Sequence, residues 1–245
     1  MDTAETMVIA SGLTCMHPTT APSTGSTRRL IAALICAMAA ASWVTEAGSI
    51  RGTIVVADKA GRGDPSRAVV WIDAPAGSAP PERAEIVMRN KVFEPALVVL
   101  SAGSTISFPN ADPILHNVFS VSGGNGFDLG LYGKGEGRDV VLREPGVVRI
   151  YCNVHPQMEA FAVVTPGRWA ARAGTDGAYA IEGVPPGKHD LKAWDERGGA
   201  ASAMAVVSGD ATVTVDFHLD ATAFRRRPHL DKNGRPYQAG GREAY

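Results

Sequence analysis

The sequence predicts an all-β protein, and three observations carry that expectation. The chain has 245 residues with 27 glycines and 16 prolines, while aromatic residues make up only 7%; this composition suits many short strands joined by turns. No stretch beyond residue 47 shows the 3.6-residue periodicity of an amphipathic helix. The segment Ala211 to Leu219 (ATVTVDFHL) alternates strictly, with Thr212, Thr214, Asp216 and His218 on one face and Val213, Val215, Phe217 and Leu219 on the other, as a half-buried strand does. The formal charge of −1, from 24 basic and 25 acidic residues, lacks the basic excess of a nucleic-acid binder. No Ser/His/Asp triad, phosphate loop or carboxylate pair placed for hydrolysis stands out, so the protein is expected not to be an enzyme.

Taken in order, the chain opens with a leader. Arg28 and Arg29 precede an apolar run from Leu30 to Val44, followed by Thr45-Glu46-Ala47, the pattern of a secretory signal cleaved before Gly48. The run is short for a membrane span, so residues 1–47, including an over-long stretch ahead of the signal, are expected to be removed, leaving no stable membrane span. The twin-arginine pattern around Arg28 is incomplete, which makes the general secretory route to the periplasm the expected one. Cleavage removes two of the 24 basic and three of the 25 acidic residues, leaving 22 of each. It also leaves Cys152 as the sole survivor of Cys15, Cys36 and Cys152. A lone thiol in an oxidising compartment is buried and inert, paired with another chain, or a ligand or nucleophile.

The remaining elements follow from strand and turn signals. Residues 49–56 and 68–72 read as a β-hairpin around a Gly- and Asp-rich loop, and the linker APAGSAPPER follows. Strands are expected at 84–88, 96–100, 104–108, 115–121, 140–142, 147–151 and 161–164, with a glycine-rich loop at 123–137. After Pro166, the turn Thr175-Asp176-Gly177 introduces strands at 179–181, 189–194, 205–207 and 211–219. Residues 221–245 carry six basic and two acidic residues and are expected to form a flexible, solvated basic tail.

The chemistry concentrates in Tyr151-Cys152-Asn153-Val154-His155-Pro156-Gln157-Met158, together with His116-Asn117. Cys152 ends a strand, so His155 and Met158 can fold back over it in one tight turn stiffened by Pro156. His116 begins another strand and joins them if the two strands are neighbours. Zinc prefers four good N, S or O donors and calcium or magnesium wants oxygen. One thiolate, two imidazoles and a weak thioether suit copper in both of its oxidation states, as electron transfer requires. A buried thiol with chance histidines is the competing reading. A binuclear copper centre needs two cysteines, and an oxidase cluster needs more histidines than His116, His155, His189, His218 and His229 supply; the last three are read as surface or satisfied residues.

These residues give the sequence a resemblance to the cupredoxins, the blue copper proteins. The short Cys-x-x-His-x-x-Met loop is similar to that of amicyanin. Phe108-Pro109-Asn110 to Phe119, Phe127 to Tyr132 and Cys152 to Met158 also resemble plastocyanin-like proteins labelled methylamine utilisation proteins. The resemblance implies a Greek-key β-sandwich over residues 82–165 that holds one type 1 copper ion. His116, Cys152 and His155 would be its equatorial ligands and Met158 its axial ligand, with Asn117 tying the ligand strands together and tuning the thiolate. It further implies a one-electron carrier that works with a cytochrome c or a dehydrogenase and exposes an edge of His155 beside Pro156, Ile114 and Leu115. A copper-delivery protein and a metal-free β-sandwich binding module are the alternatives. Residues 48–77 and 166–220 resemble consecutive pieces of a carboxypeptidase regulatory-like (transthyretin-like) sandwich, so a second small sandwich is expected, split by the first.

Overall fold

In the computed structural model, residues 47–74 and 79–237 are described, and the leader read at residues 1–47 lies outside them apart from Ala47. The described residues are almost entirely strand and turn, as the composition predicts. The first strands are β1 (Gly48–Asp58), β2 (Gly61–Arg62) and β3 (Val69–Ile72). The middle segment gives β4 (Arg83–Glu85), β5 (Val87–Arg89), β6 (Val92–Glu94), β7 (Leu97–Ser101), β8 (Thr105–Pro109), β9 (His116–Ser120), β10 (Phe127–Tyr132), β11 (Gly137–Val141), β12 (Gly146–Cys152) and β13 (Glu159–Thr165). The last strands are β14 (Ala170–Arg172), β15 (Ala178–Val184), β16 (Gly187–Asp195), β17 (Gly199–Val207), β18 (Thr212–Thr214) and β19 (Phe217–Asp220). Among the described residues, no helix is long and apolar enough to cross a membrane.

Strand pairing joins the first described strand to the last ones. β1 runs antiparallel to β15 and parallel to β18 and β19, with Ile54 opposite Phe217. β3 pairs with β14 and β16, placing Val70 opposite Ala171 and Ala193, and β17 extends that sheet. The expected hairpin of residues 49–56 with 68–72 is therefore corrected: β1 and β3 lie in different sheets. The intervening loop is long enough to cross between layers, and both strands gain by burying Ile54, Val56, Val70 and Ile72 in one core. Thr212 to Leu219 keeps its alternation although β18 and β19 are separate strands: Phe217 and Leu219 are buried and His218 is exposed. Gly177 closes the turn before β15 with φ +86°, and a Cβ there would sit 2.3 Å from the Ile54 carbonyl oxygen, so only glycine fits.

The middle strands form their own layers. One sheet has the order β10-β9-β12-β13-β7, and β11-β8-β4 lies against it. Phe108, Ile106, Val118, Val148, Ile150, Ala162 and Val164 fill the space between them. The glycine-rich loop expected at 123–137 instead contains β10, which pairs with β9 through a register shift between Asp128 and Leu131. Gly130, at φ +70°, sits inside that bulge and breaks the alternation by which a strand is recognised. A third apolar cluster joins the two layered units: Val69, Trp71 and Trp194 on one side meet Leu97, Phe161 and Val163 on the other. Phe161 and Trp194 stack at 5.3 Å between ring centres. Both faces of β3 are thus covered, which accounts for its uninterrupted apolar run Val69-Val70-Trp71-Ile72.

Within the basic tail expected from residue 221 onward, residues 221–237 touch the rest of the protein at several points. Phe224 packs against the core that contains β1 and β3. Arg226 bonds to Glu159 at 3.2 Å and Glu196 at 2.8 Å, and Lys232 to Asp128 at 2.5 Å. Net charge is a poor guide to a segment in which Arg226 and Lys232 meet carboxylates.

Candidate metal centre

The site is built on neighbouring strands. β12 and β9 are antiparallel, with Cys152 opposite Val118 and Tyr151 opposite Phe119. Because side chains alternate along a strand, His116 shares its face with Val118 and hence with Cys152, turned toward the core. Asn117, Phe119 and Tyr151 share the opposite face. Beyond Cys152 the chain turns back on itself: the Met158 N–H donates to the His155 carbonyl at 3.0 Å, and the Cys152 N–H donates to the Met158 carbonyl at 3.3 Å. The Asn153 N–H donates to the Asn117 carbonyl at 2.9 Å, tying the ligand turn to the strand of His116.

Three donor atoms converge there. The Nδ1 atoms of His116 and His155 are 3.1 Å apart, and Cys152 Sγ lies 3.6 Å from the first and 3.7 Å from the second. His116 and Cys152 are fully buried, and His155 is 8% exposed. Among the described residues this is the one group of three His, Cys, Asp or Glu side chains able to hold an ion. Donors so spaced match ligands that each reach one ion over about 2.0–2.3 Å. Met158 is fully buried in the same apolar cluster as Cys152, and its backbone is bonded to both Cys152 and His155. Ile114 and Leu115 are partly buried, and Pro156 is exposed beside His155.

The sequence reading missed Asp112, which orients His116. Its carboxylate accepts from His116 Nε2 at 2.9 Å and from the N–H groups of Asn90 at 2.6 Å and Lys91 at 2.9 Å. Asn90 and Lys91 hold φ of 55° and 58°, and their turn aims both amides at the one side chain. With Nε2–H given to Asp112, His116 presents an unprotonated Nδ1 to Cys152, the tautomer a metal ligand needs. Burial raises the Asp112 carboxyl, but the hydrogen bonds from Lys91, His116 and Asn90 outweigh it and leave its pKa below the usual carboxylate value. Burial also lowers the pKa of His116, opposed by the hydrogen bond and charge of Asp112, so the neutral ring is favoured. The available signal was a carboxylate four residues ahead of the histidine. Asn110 braces that loop by donating to the carbonyls of Ile114 at 2.9 Å and Tyr132 at 3.1 Å and accepting from the Asp112 N–H at 2.9 Å, which gives Phe108-Pro109-Asn110 its structural meaning.

Asn117 ties the ligand strands through its backbone, while its side chain turns away and donates to Asp128 at 2.6 Å. The other described histidines stand apart from the site. His189 bonds to the Pro185 carbonyl at 2.7 Å, and His218 is exposed. His229 is half-buried and stacks on Tyr151 with ring centres 4.0 Å apart.

No protein-family model and no curated protein sequence matches the chain. Among solved structures, it is similar to a purple cupredoxin from Nitrosopumilus maritimus at 22% identity, over 34% of this chain and 99% of that one, with a TM-score of 0.31. It is similar to a tryptophan-to-tyrosine mutant of amicyanin in its reduced form at 21% identity, over 40% and 98%, with a TM-score of 0.31. It is also similar to an oxidised proline-to-alanine mutant of amicyanin at 20% identity, over 39% and 97%, with a TM-score of 0.32.

Proposed function

We propose that the protein is an exported, periplasmic electron carrier that uses a single type 1 copper ion and exchanges one electron at a time with redox proteins such as a cytochrome c or a dehydrogenase. One observation carries this reading: the Nδ1 atoms of His116 and His155 and the Sγ of Cys152 converge within 3.1–3.7 Å. Met158 is fully buried in the same apolar cluster as Cys152. His116, Cys152 and His155 would hold the ion, with Met158 as its weak fourth ligand. Copper bound to such a set supplies a centre that gains and loses one electron with little change of ligand geometry.

The chain's own residues supply the rest. Asp112 keeps His116 in its ligand tautomer, and the Asn153-to-Asn117 backbone bond holds the cysteine turn against the histidine strand. Burial excludes water from Cys152, and His155 beside exposed Pro156 is the route to a partner. In this reading, residues 82–165 are the electron-transfer module, inserted in a split sandwich formed by 48–77 and 166–220, which acts as a scaffold. Reversible voltammetry of the copper-loaded protein tests the carrier role. A one-electron wave with rapid electron exchange is expected, while copper surrendered quickly to a Cu(I) chelator would favour delivery instead.

A further inference from the structure

The strand face turned away from the metal centre is covered by residues 226–237. Asn117, Phe119 and Tyr151 alternate away from His116, Val118 and Cys152, and residues 226–237 lie across them. His229 stacks on Tyr151 at 4.0 Å with the ring planes 21° apart, and Tyr237 meets His229 edge-on at 5.2 Å. Lys232 reaches Asp128, which also holds Asn117, at 2.5 Å. Arg226 anchors the segment to Glu159 and Glu196.

Two contacts fall on the cysteine turn itself. The Tyr237 hydroxyl donates to the Cys152 carbonyl at 3.1 Å, and the Lys232 N–H donates to Asn153 Oδ1 at 2.9 Å. Asn153 is therefore held from inside by the Asn117 carbonyl and from outside by this strap. Farther along, strap and turn face each other across a cavity of about 780 Å³ lined by Pro156, Gln157, His229 and Tyr237. The grip is thus on Cys152 and Asn153 rather than on Pro156 and Gln157.

We propose that residues 226–237 are a positioning strap for the cysteine ligand, with Tyr237 as its key residue. By fixing the Cys152–Asn153 peptide from outside, Tyr237 sets the aim of Sγ toward His116 and His155 and holds closed the turn whose opening gives a reagent access to the buried thiol. The strap lies on the strand face opposite the ligand side chains, so it acts on Cys152 through the backbone of its turn. The part of this inference that concerns copper rests on the function proposed above; the part that concerns thiol access does not.

The test uses the full-length protein with Tyr237→Phe, which removes only the hydroxyl, Tyr237→Ala, and Arg226→Ala as a distant unlatching change. In the metal-free folded protein, alkylation of Cys152 by iodoacetamide should accelerate about five-fold in Tyr237→Phe, the equivalent of one ordinary hydrogen bond, and further in Tyr237→Ala. In the copper-loaded protein, the thiolate charge-transfer band and the reduction potential should shift in Tyr237→Phe while the melting temperature stays near wild type. Alkylation within two-fold of wild type in both Tyr237 variants would overturn the proposal, as would a lower melting temperature with an unmoved band and potential. Faster alkylation in a protein that shows no copper band would uphold the strap and sink the copper reading instead.

Discussion

Asp112→Asn is the most informative single change at the site. The aspartate offers two oxygens to three donors, the N–H groups of Asn90 and Lys91 and Nε2–H of His116, at 2.6, 2.9 and 2.9 Å. An asparagine of the same shape offers one oxygen and replaces the other with an NH₂ group. If its oxygen keeps the Asn90 contact, the NH₂ faces Lys91 N–H and His116 Nε2–H, donor against donor. An unsatisfied buried donor costs about 1–3 kcal/mol. The repulsion also favours the imidazole tautomer with its proton on Nδ1, which points at Cys152 and cannot bind a metal. Outer partners of metal-binding histidines typically contribute about 10–100-fold in affinity, and a loss of that size is expected here. Competitive copper titration against a chelator, paired with thermal melting of the metal-free form, reads both effects. Copper affinity within two-fold of wild type would refute the assignment of Asp112 as the group that orients His116.

Further outcomes follow from the same structure. Trp194→Ala removes the ring that meets Phe161 where the two layered units join, and should cost about 3–5 kcal/mol, read as a drop in melting temperature. Gly177→Ala introduces a Cβ 2.3 Å from the Ile54 carbonyl at a positive φ, and should destabilise by more than about 1 kcal/mol in denaturant unfolding. The metal-free protein should lose stability as pH falls. Burial holds the folded pKa of His116 below the ordinary 6.5, so the unfolded chain binds the extra proton first. That contribution is complete above 6.5 and fades as pH drops through the lowered folded value; a flat melting profile across this window would contradict it. Arg226→Ala should change global stability little, by about 0–1 kcal/mol in melting experiments, because its side chain is 63% exposed.

Much of the site was legible because its signals are local. Cys152, His155 and Met158 lie within one turn, and the strand signals on either side place that turn at a sheet end. His116 joined them only on the assumption that two distant strands are neighbours, and the pairing of Cys152 with Val118 provides that contact. What escaped were long-range choices. β1 and β3 carry hairpin-like patterns, yet burial of both in a shared core draws them into separate sheets. β10 was hidden by Gly130, whose bulge breaks the alternation. Asp112 looked like an ordinary loop residue, because its role depends on two left-handed residues about twenty positions earlier that turn their amides toward it. The strap escaped because Arg226 and Lys232 read as solvated charge, while their partners Glu159, Glu196 and Asp128 lie far away in sequence.

In the proposed function, Cys152 binds copper together with His116 and His155. Titrating the purified metal-free protein with Cu(II) and recording the visible spectrum tests it directly. An intense thiolate-to-copper absorption is expected that saturates at one equivalent and is absent from Cys152→Ala. A colourless complex, or a coloured one that survives that substitution, would contradict it.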